Sequence, residues 1–124
     1  MPAVQRLVTD DAHERVVYER CVVADKTHVR MRGLLGRDEL PACEGLLLEP
    51  APSMHTCFMR FPIDVVFLGA DMRVVSVVPE MRTWKFAGRR GTRSVLELAA
   101  GEAERSGTRE GVVLRLAEGD RDVA

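Results

Sequence analysis

Residues 53–68 read Ser-Met-His-Thr-Cys-Phe-Met-Arg-Phe-Pro-Ile-Asp-Val-Val-Phe-Leu. The second half, Ile63 to Leu68, is a short apolar run rich in β-branched residues and bounded by Pro62 and Gly69. That is the pattern of a strand covered on both faces. Within or beside this oily stretch stand His55, Arg60 and Asp64. Moving an ionised carboxylate out of water without a partner is costly. Asp64 must therefore be paired with an arginine, be hydrogen-bonded by backbone N–H groups, or face a ligand site. Arg32, Arg37 and Arg60 are its candidate ionic partners.

Working outward, Gly69-Ala70-Asp71 reads as a hairpin turn into a strand over Val74–Val78. Further short β-like segments fall at Arg15–Ala24, Gly45–Glu49, Met54–Arg60, Val95–Leu98 and Val112–Leu116. Asp25 offers an N-cap for a short helix from Lys26 to Leu35 ending near Gly36. Gly101–Ser106 reads as one or two helical turns closed by Gly107. Short strands separated by Gly and Pro favour an all-β (β-rich α+β) fold over a βαβ layout. The expectation is a small antiparallel sandwich or barrel with one or two short helices. Residues 1–14 lack periodicity and read as a loosely ordered lead-in, 15–118 as a single β-rich domain, and 119–124 as a tail.

At 124 residues the chain suits one domain that buries roughly two-thirds of its unfolded surface. With 46% apolar and 30% charged residues it lies far from the composition of disorder. A formal net charge of −1 supplies no global field for polyanions, so general nucleic-acid binding is not expected. Cys21, Cys43 and Cys57 are odd in number and contain no C-x-x-C pair, which suggests neither a disulfide framework nor a zinc knuckle. The N-terminal residues lack an apolar signal core, and no apolar run approaches the roughly 20 residues of a membrane span. A soluble, cytoplasmic protein without membrane contact is expected.

Four ordered blocks carry a family resemblance: Arg32-Gly33-Leu34-Leu35-Gly36-Arg37, Glu44-Gly45-Leu46-Leu47-Leu48, the stretch through Phe67-Leu68, and Val95-Leu96-Glu97-Leu98 with Gly101. In order and spacing, across 15–118, they resemble a widespread prokaryotic family known as domain of unknown function 192. The resemblance implies a small β-rich, sandwich-like fold with short helices and no established activity. Many relatives carry an aromatic-Met-Lys-Asn run where this chain has His55-Thr56-Cys57-Phe58-Met59. It looks like the branch with histidine, and a site built on the lysine and asparagine does not carry over.

Several side chains are candidates for chemistry. In an extended 54–60 segment His55 and Cys57 share a face and could share a metal, but no third ligand is in register. No metal and no cofactor is expected, and His55 reads more simply as a packed or hydrogen-bonded residue. Glu97 alternates with Leu96 and Leu98, so an exposed glutamate on a half-wet strand is its default. If Glu97 met Asp64 across a bound molecule, with His55 nearby, the pair could act as acid and base in hydrolysis. The segment from Arg82 to Arg93 concentrates five cations and the single tryptophan, Trp84, in a glycine-punctuated loop. Aromatic faces among cations hold anions, sugars or stacked bases; the plainer reading has Trp84 and Phe86 covering an open end of the fold.

These features point first to a binding module for a small polar or anionic, even carbohydrate-like, ligand. Its site would be His55, Asp64, Arg32, Arg60, Trp84 and Lys85. The competing readings are a hydrolase using Asp64, Glu97 and His55, and a protein-interaction domain marked by an exposed apolar patch.

Overall fold

The computed structural model describes residues 3–9, 16–24, 44–51, 53–55, 61–83 and 85–117. Within them run strands β1 (Ala3–Thr9), β2 (Val16–Ala24), β3 (Glu44–Leu48), β4 (Ser53–His55), β5 (Ile63–Leu68), β6 (Val74–Met81), β7 (Phe86–Gly88), β8 (Ser94–Ala99) and β9 (Leu114–Ala117). One short helix, α1 (Glu102–Ser106), lies between β8 and β9. The all-β expectation holds.

Seven strands form one sheet in the order β6-β5-β8-β3-β2-β1-β9, and β4 pairs with β7 in a separate two-stranded ribbon. Neighbours in the large sheet are antiparallel except β2 and β3, which are parallel. The two ends of the strand order come back together. Arg73 bridges Val113, the Val74 N–H donates to Val112 O at 2.8 Å, and the Leu114 N–H donates to Met72 O at 2.9 Å. The sheet curls on itself and stops short of a closed barrel, with the short bridge protecting part of both edges.

Successive side chains leave a strand on opposite faces, and here both faces are covered. One face carries Leu46, Leu48, Ile63, Val65, Phe67 and Val95, with Ala51 and Met81, and Ala87 of the ribbon packs against it. The other carries Cys21, Leu47, Val66, Leu68, Leu96 and Leu98, joined by Val74, Ala103 of α1 and Leu114. All six residues of β5 are buried, which is why its sequence is a continuous apolar run rather than an alternating one. A fully buried Phe67 or Leu96 contributes roughly 1.5–3 kcal/mol to stability. Gly45 lies opposite Leu98 at the centre of the sheet; a Cβ there would sit 3.1 Å from Leu98 Cδ2 and 3.3 Å from Leu96 Cδ1.

Four expectations need correction. Ala3–Thr9, read as part of a loose lead-in, is a strand hydrogen-bonded to β2 on one side and β9 on the other. Its order comes from pairing with distant segments rather than from its own weak pattern. The strand expected over Val74–Val78 continues to Met81 through Pro79, and β9 begins two residues later than expected. Glu97 is only 4% exposed, because β8 lies between β5 and β3 and has no wet face. The helix expected over 26–35 and the strand continuation over 56–60 lie outside the described residues. Among the described residues no helix is long and apolar enough to cross a membrane.

Candidate functional site

Asp64 is 1% exposed, and both of its carboxylate oxygens are engaged by backbone donors. The Glu80 N–H donates to Oδ1 at 2.8 Å and the Ala103 N–H to Oδ2 at 2.8 Å. Each donor comes from a place where the regular backbone pattern fails. Opposite Asp64 the β5–β6 register shifts between the Ile63–Met81 and Val65–Val78 pairs, so Pro79 and Glu80 together face one residue. Glu80 there has φ 49°, a bulged geometry that takes its N–H out of the ladder. Ala103 lies in the first turn of α1, where N–H groups lack helical acceptors. The residue at the helix start, Gly101, has φ 89° and no side chain to cap them. Asp64 supplies the missing acceptor to both, joining a strand, a bulge and a helix terminus.

This geometry removes Asp64 from any pocket. Hydrogen bonds to a buried carboxylate contribute about 1.5–3 kcal/mol each, and the two together account for the presence of a charge in β5. The backbone alternative drawn from the sequence is therefore realised between Asp64 and two main-chain donors. Of its candidate ionic partners, Arg32, Arg37 and Arg60 lie outside the described residues.

Glu97 does not share a cavity with Asp64. In the β5–β8 register Asp64 pairs with Leu98 and Val65 with Glu97. Directly opposed residues share a face and successive ones alternate, so the carboxyl groups of Asp64 and Glu97 project to opposite sides of the sheet. The ribbon bearing His55 covers the Glu97 side, since Ala87 packs against the cluster containing Val65. The Asp64–Glu97 carboxylate pair required for that hydrolysis is therefore not assembled.

The ribbon brings together what remains of the expected site. β4 and β7 pair Ser53 with Gly88, Met54 with Ala87 and His55 with Phe86. Ala87 faces the core, which turns Phe86 and Gly88 outward. Phe86 is 77% exposed and is the single exposed large hydrophobic among the described residues. It neither covers an open end of the sheet, as its plainer sequence reading held, nor belongs to a wider apolar patch among the described residues. Lys85 and Arg82 before it, and Arg89, Arg90 and Arg93 after it, are all exposed. Arg89 leans back over the buried Phe67 ring, 5.3 Å from its centroid, and donates to Gly88 O at 2.8 Å, fastening the turn to the core. The Thr92 N–H donates to Arg89 O at 3.2 Å, and Gly91 at φ 84° occupies the position of this turn that favours glycine. Among the described residues neither Arg90 nor Arg93 has an ion pair or a side-chain hydrogen bond.

The composition of the ribbon differs from that of the rest of the chain. Residues 50–63 and 81–96, which contain both of its strands, hold no aspartate or glutamate; all nineteen acids lie elsewhere. The same two stretches hold Arg60, Arg82, Lys85, Arg89, Arg90 and Arg93. A protein of net charge −1 thus carries an acid-free ribbon, and that spacing of acids was readable in the sequence although the pairing of its two strands was not.

Of the expected binding residues, Lys85 is exposed beside Phe86, the register sets position 55 across from Phe86, and Asp64 is sealed on the other side of the sheet. Arg32, Arg60 and Trp84 lie outside the described residues. Cys21 is fully buried as a free thiol, and burial pushes its pKa up to about 12 despite a hydrogen bond with the Leu47 backbone. It is a packing residue rather than a nucleophile.

The model of the DUF192 family, described as an uncharacterized ACR, matches residues 7–116. Two solved structures are similar in fold. One is a protein of unknown function from Novosphingobium aromaticivorans DSM 12444, 24% identical, with 93% of this chain and 92% of that chain covered and a TM-score of 0.77. The other, from Sinorhizobium meliloti 1021 and provisionally named a transcription regulator, is 23% identical, with 93% and 95% covered and a TM-score of 0.80. No curated protein matches the chain.

Proposed function

This chain belongs to the DUF192 family, and from that premise we propose that it is a binding module for a small anionic ligand, held at the β4–β7 ribbon. The observation that carries this reading is the run of exposed cations Arg82, Lys85, Arg90 and Arg93, before and after Phe86 in stretches of sequence without Asp or Glu. Cations gathered without interspersed carboxylates create a local positive potential that attracts anions even when the whole protein is close to neutral. A rigid β scaffold holding such a loop is the usual platform for recognition.

The same composition argues against a neutral carbohydrate. Sugar hydroxyls need acceptors as well as donors, which carboxylates and amides supply. The ribbon stretches contain no Asp or Glu, and the chain contains no Asn. Arg and Lys only donate, so the guest best matched to them brings its own acceptors and negative charge.

A thermal-shift panel of anions and neutral sugars tests the reading. At least one anion is expected to raise Tm, as ligands that bind only the native state must. That rise is expected to vanish in Arg90→Glu, whose surface position leaves the fold intact. Stabilisation by sugars and by no anion would sink the proposal.

A further inference from the structure

We infer that the ligand of the ribbon is a nucleoside phosphate, its base stacked on Phe86 and its phosphates on the flanking cations. This rests on the anion-binding reading above and adds to it the chemistry of the uncharged part of the ligand. Phe86 is the observation that demands it. A simple inorganic anion gains nothing from a phenyl ring, yet this ring stands 77% exposed in the middle of the ribbon rather than in the core. A phenyl side chain also has no polar atom to interact with water, so leaving it outside forgoes burial that would stabilise the fold.

The surroundings of the ring suit a flat partner. Gly88 follows on the same outward face and carries no side chain, and across from it stands the small, exposed Ser53. Toward Gly88 the ribbon therefore presents only small side chains beside the ring. Charge stands at both ends of β7: Arg82 and Lys85 precede Phe86, and Arg90 and Arg93 follow Gly88. Arg89 is held over Phe67, and so serves the turn rather than the ligand. An aromatic platform with cations beyond its ends complements a molecule that is planar and apolar in one part and multiply anionic in another. Base stacking on aromatic side chains is tolerant of base identity, so the class is nucleoside phosphates rather than one nucleotide.

Equilibrium dialysis with ATP, inorganic tripolyphosphate and adenosine separates the two parts. ATP is expected to bind at least about tenfold more tightly than tripolyphosphate, the contribution of one stacked base. Phe86→Ala should abolish that difference while leaving tripolyphosphate binding unchanged, and Arg90→Ala should weaken both ligands by the same factor. Both positions are exposed, and an unchanged Tm confirms that the variants are folded. Equal binding of ATP and tripolyphosphate to the parent protein would overturn this inference while leaving the anion-binding reading standing. Failure of both to bind would overturn the two together. A thymidine hexanucleotide held far more tightly than ATP would also overturn it, in favour of a single-stranded nucleic acid.

Discussion

Asp64 and the Phe86 ribbon lie on opposite sides of the same sheet, and each breaks an ordinary rule of residue placement. Asp64 is a charge in the core and Phe86 is a large apolar ring in water. The first violation is fully compensated within the protein, because the Glu80 and Ala103 N–H groups occupy both oxygens. For the second, the register turns the ring outward and leaves most of its surface to solvent. An anomaly resolved inside the fold explains the scaffold; one that stays at the surface points to something outside it. The ribbon, and not the acidic residue that stands out in the sequence, is therefore the proposed place for a ligand.

The comparison can be broken most forcefully at Asp64. Asp64→Ala leaves the buried Ala103 N–H and the part-buried Glu80 N–H without their acceptor and should cost about 2–5 kcal/mol, read as a fall in the urea midpoint. Asp64→Asn keeps one acceptor and turns an NH2 toward the other donor, so a loss of about half that size is expected. If the asparagine variant matched the parent, the two-donor junction would not be what holds Asp64 in the core.

A second measurement concerns the same face of the sheet at alkaline pH. The Cys21 thiol keeps its proton to about pH 12 when folded, against an ordinary value of 9.0 for a solvated thiol, so the native protein is penalised as pH rises between those values. Stability should fall by at most roughly 1.4 kcal/mol per pH unit in that window, and the part due to this thiol should disappear in Cys21→Ala. Parallel pH profiles for the two proteins would show that Cys21 is not sealed as described.

Gly45→Ala probes packing on that face. Leu96 and Leu98 are wholly buried and cannot yield easily to a Cβ placed 3.1–3.3 Å away, so overpacking by about 1–3 kcal/mol is expected. A stability gain there would mean that the leucines can move and the core is looser than its burial implies. The smallest stability effect belongs to Phe86→Ala, within about 0.5 kcal/mol, since the ring contributes little to the core. A loss of several kcal/mol would place Phe86 in the scaffold and erase the contrast with Asp64.

Much of the fold is legible in residue pattern. Ile63–Leu68 is a strand with the bounds that Pro62 and Gly69 suggest, and the Gly69–Asp71 turn forms with the Met72 N–H donating to Gly69 O at 3.0 Å. The Asp71 carboxylate accepts the Arg73 N–H, which holds its pKa below the usual value. Gly107 closes α1 as anticipated, and does so in the left-handed conformation. Other features carry a signal that the sequence analysis above does not use. Pro79 inside a valine-rich run is a signal of an edge strand or bulge, and both occur. The burial of Glu97 had no such signal, because alternation shows which residues share a face and not whether a further strand or ribbon covers it.

Local sequence determined the central strands, the turns and the short helix, though not β1 or β7, because φ/ψ preferences and the period of apolar residues act over a few neighbours. It also determined the distribution of acids that leaves one ribbon positively charged. Only the tertiary structure decided that Asp64 and Glu97 point away from each other, that Asp64 is satisfied by donors 16 and 39 residues away, and that positions 55 and 86 meet. Those facts depend on strand register, and register is set by which distant segments pair, a choice no single segment makes by itself.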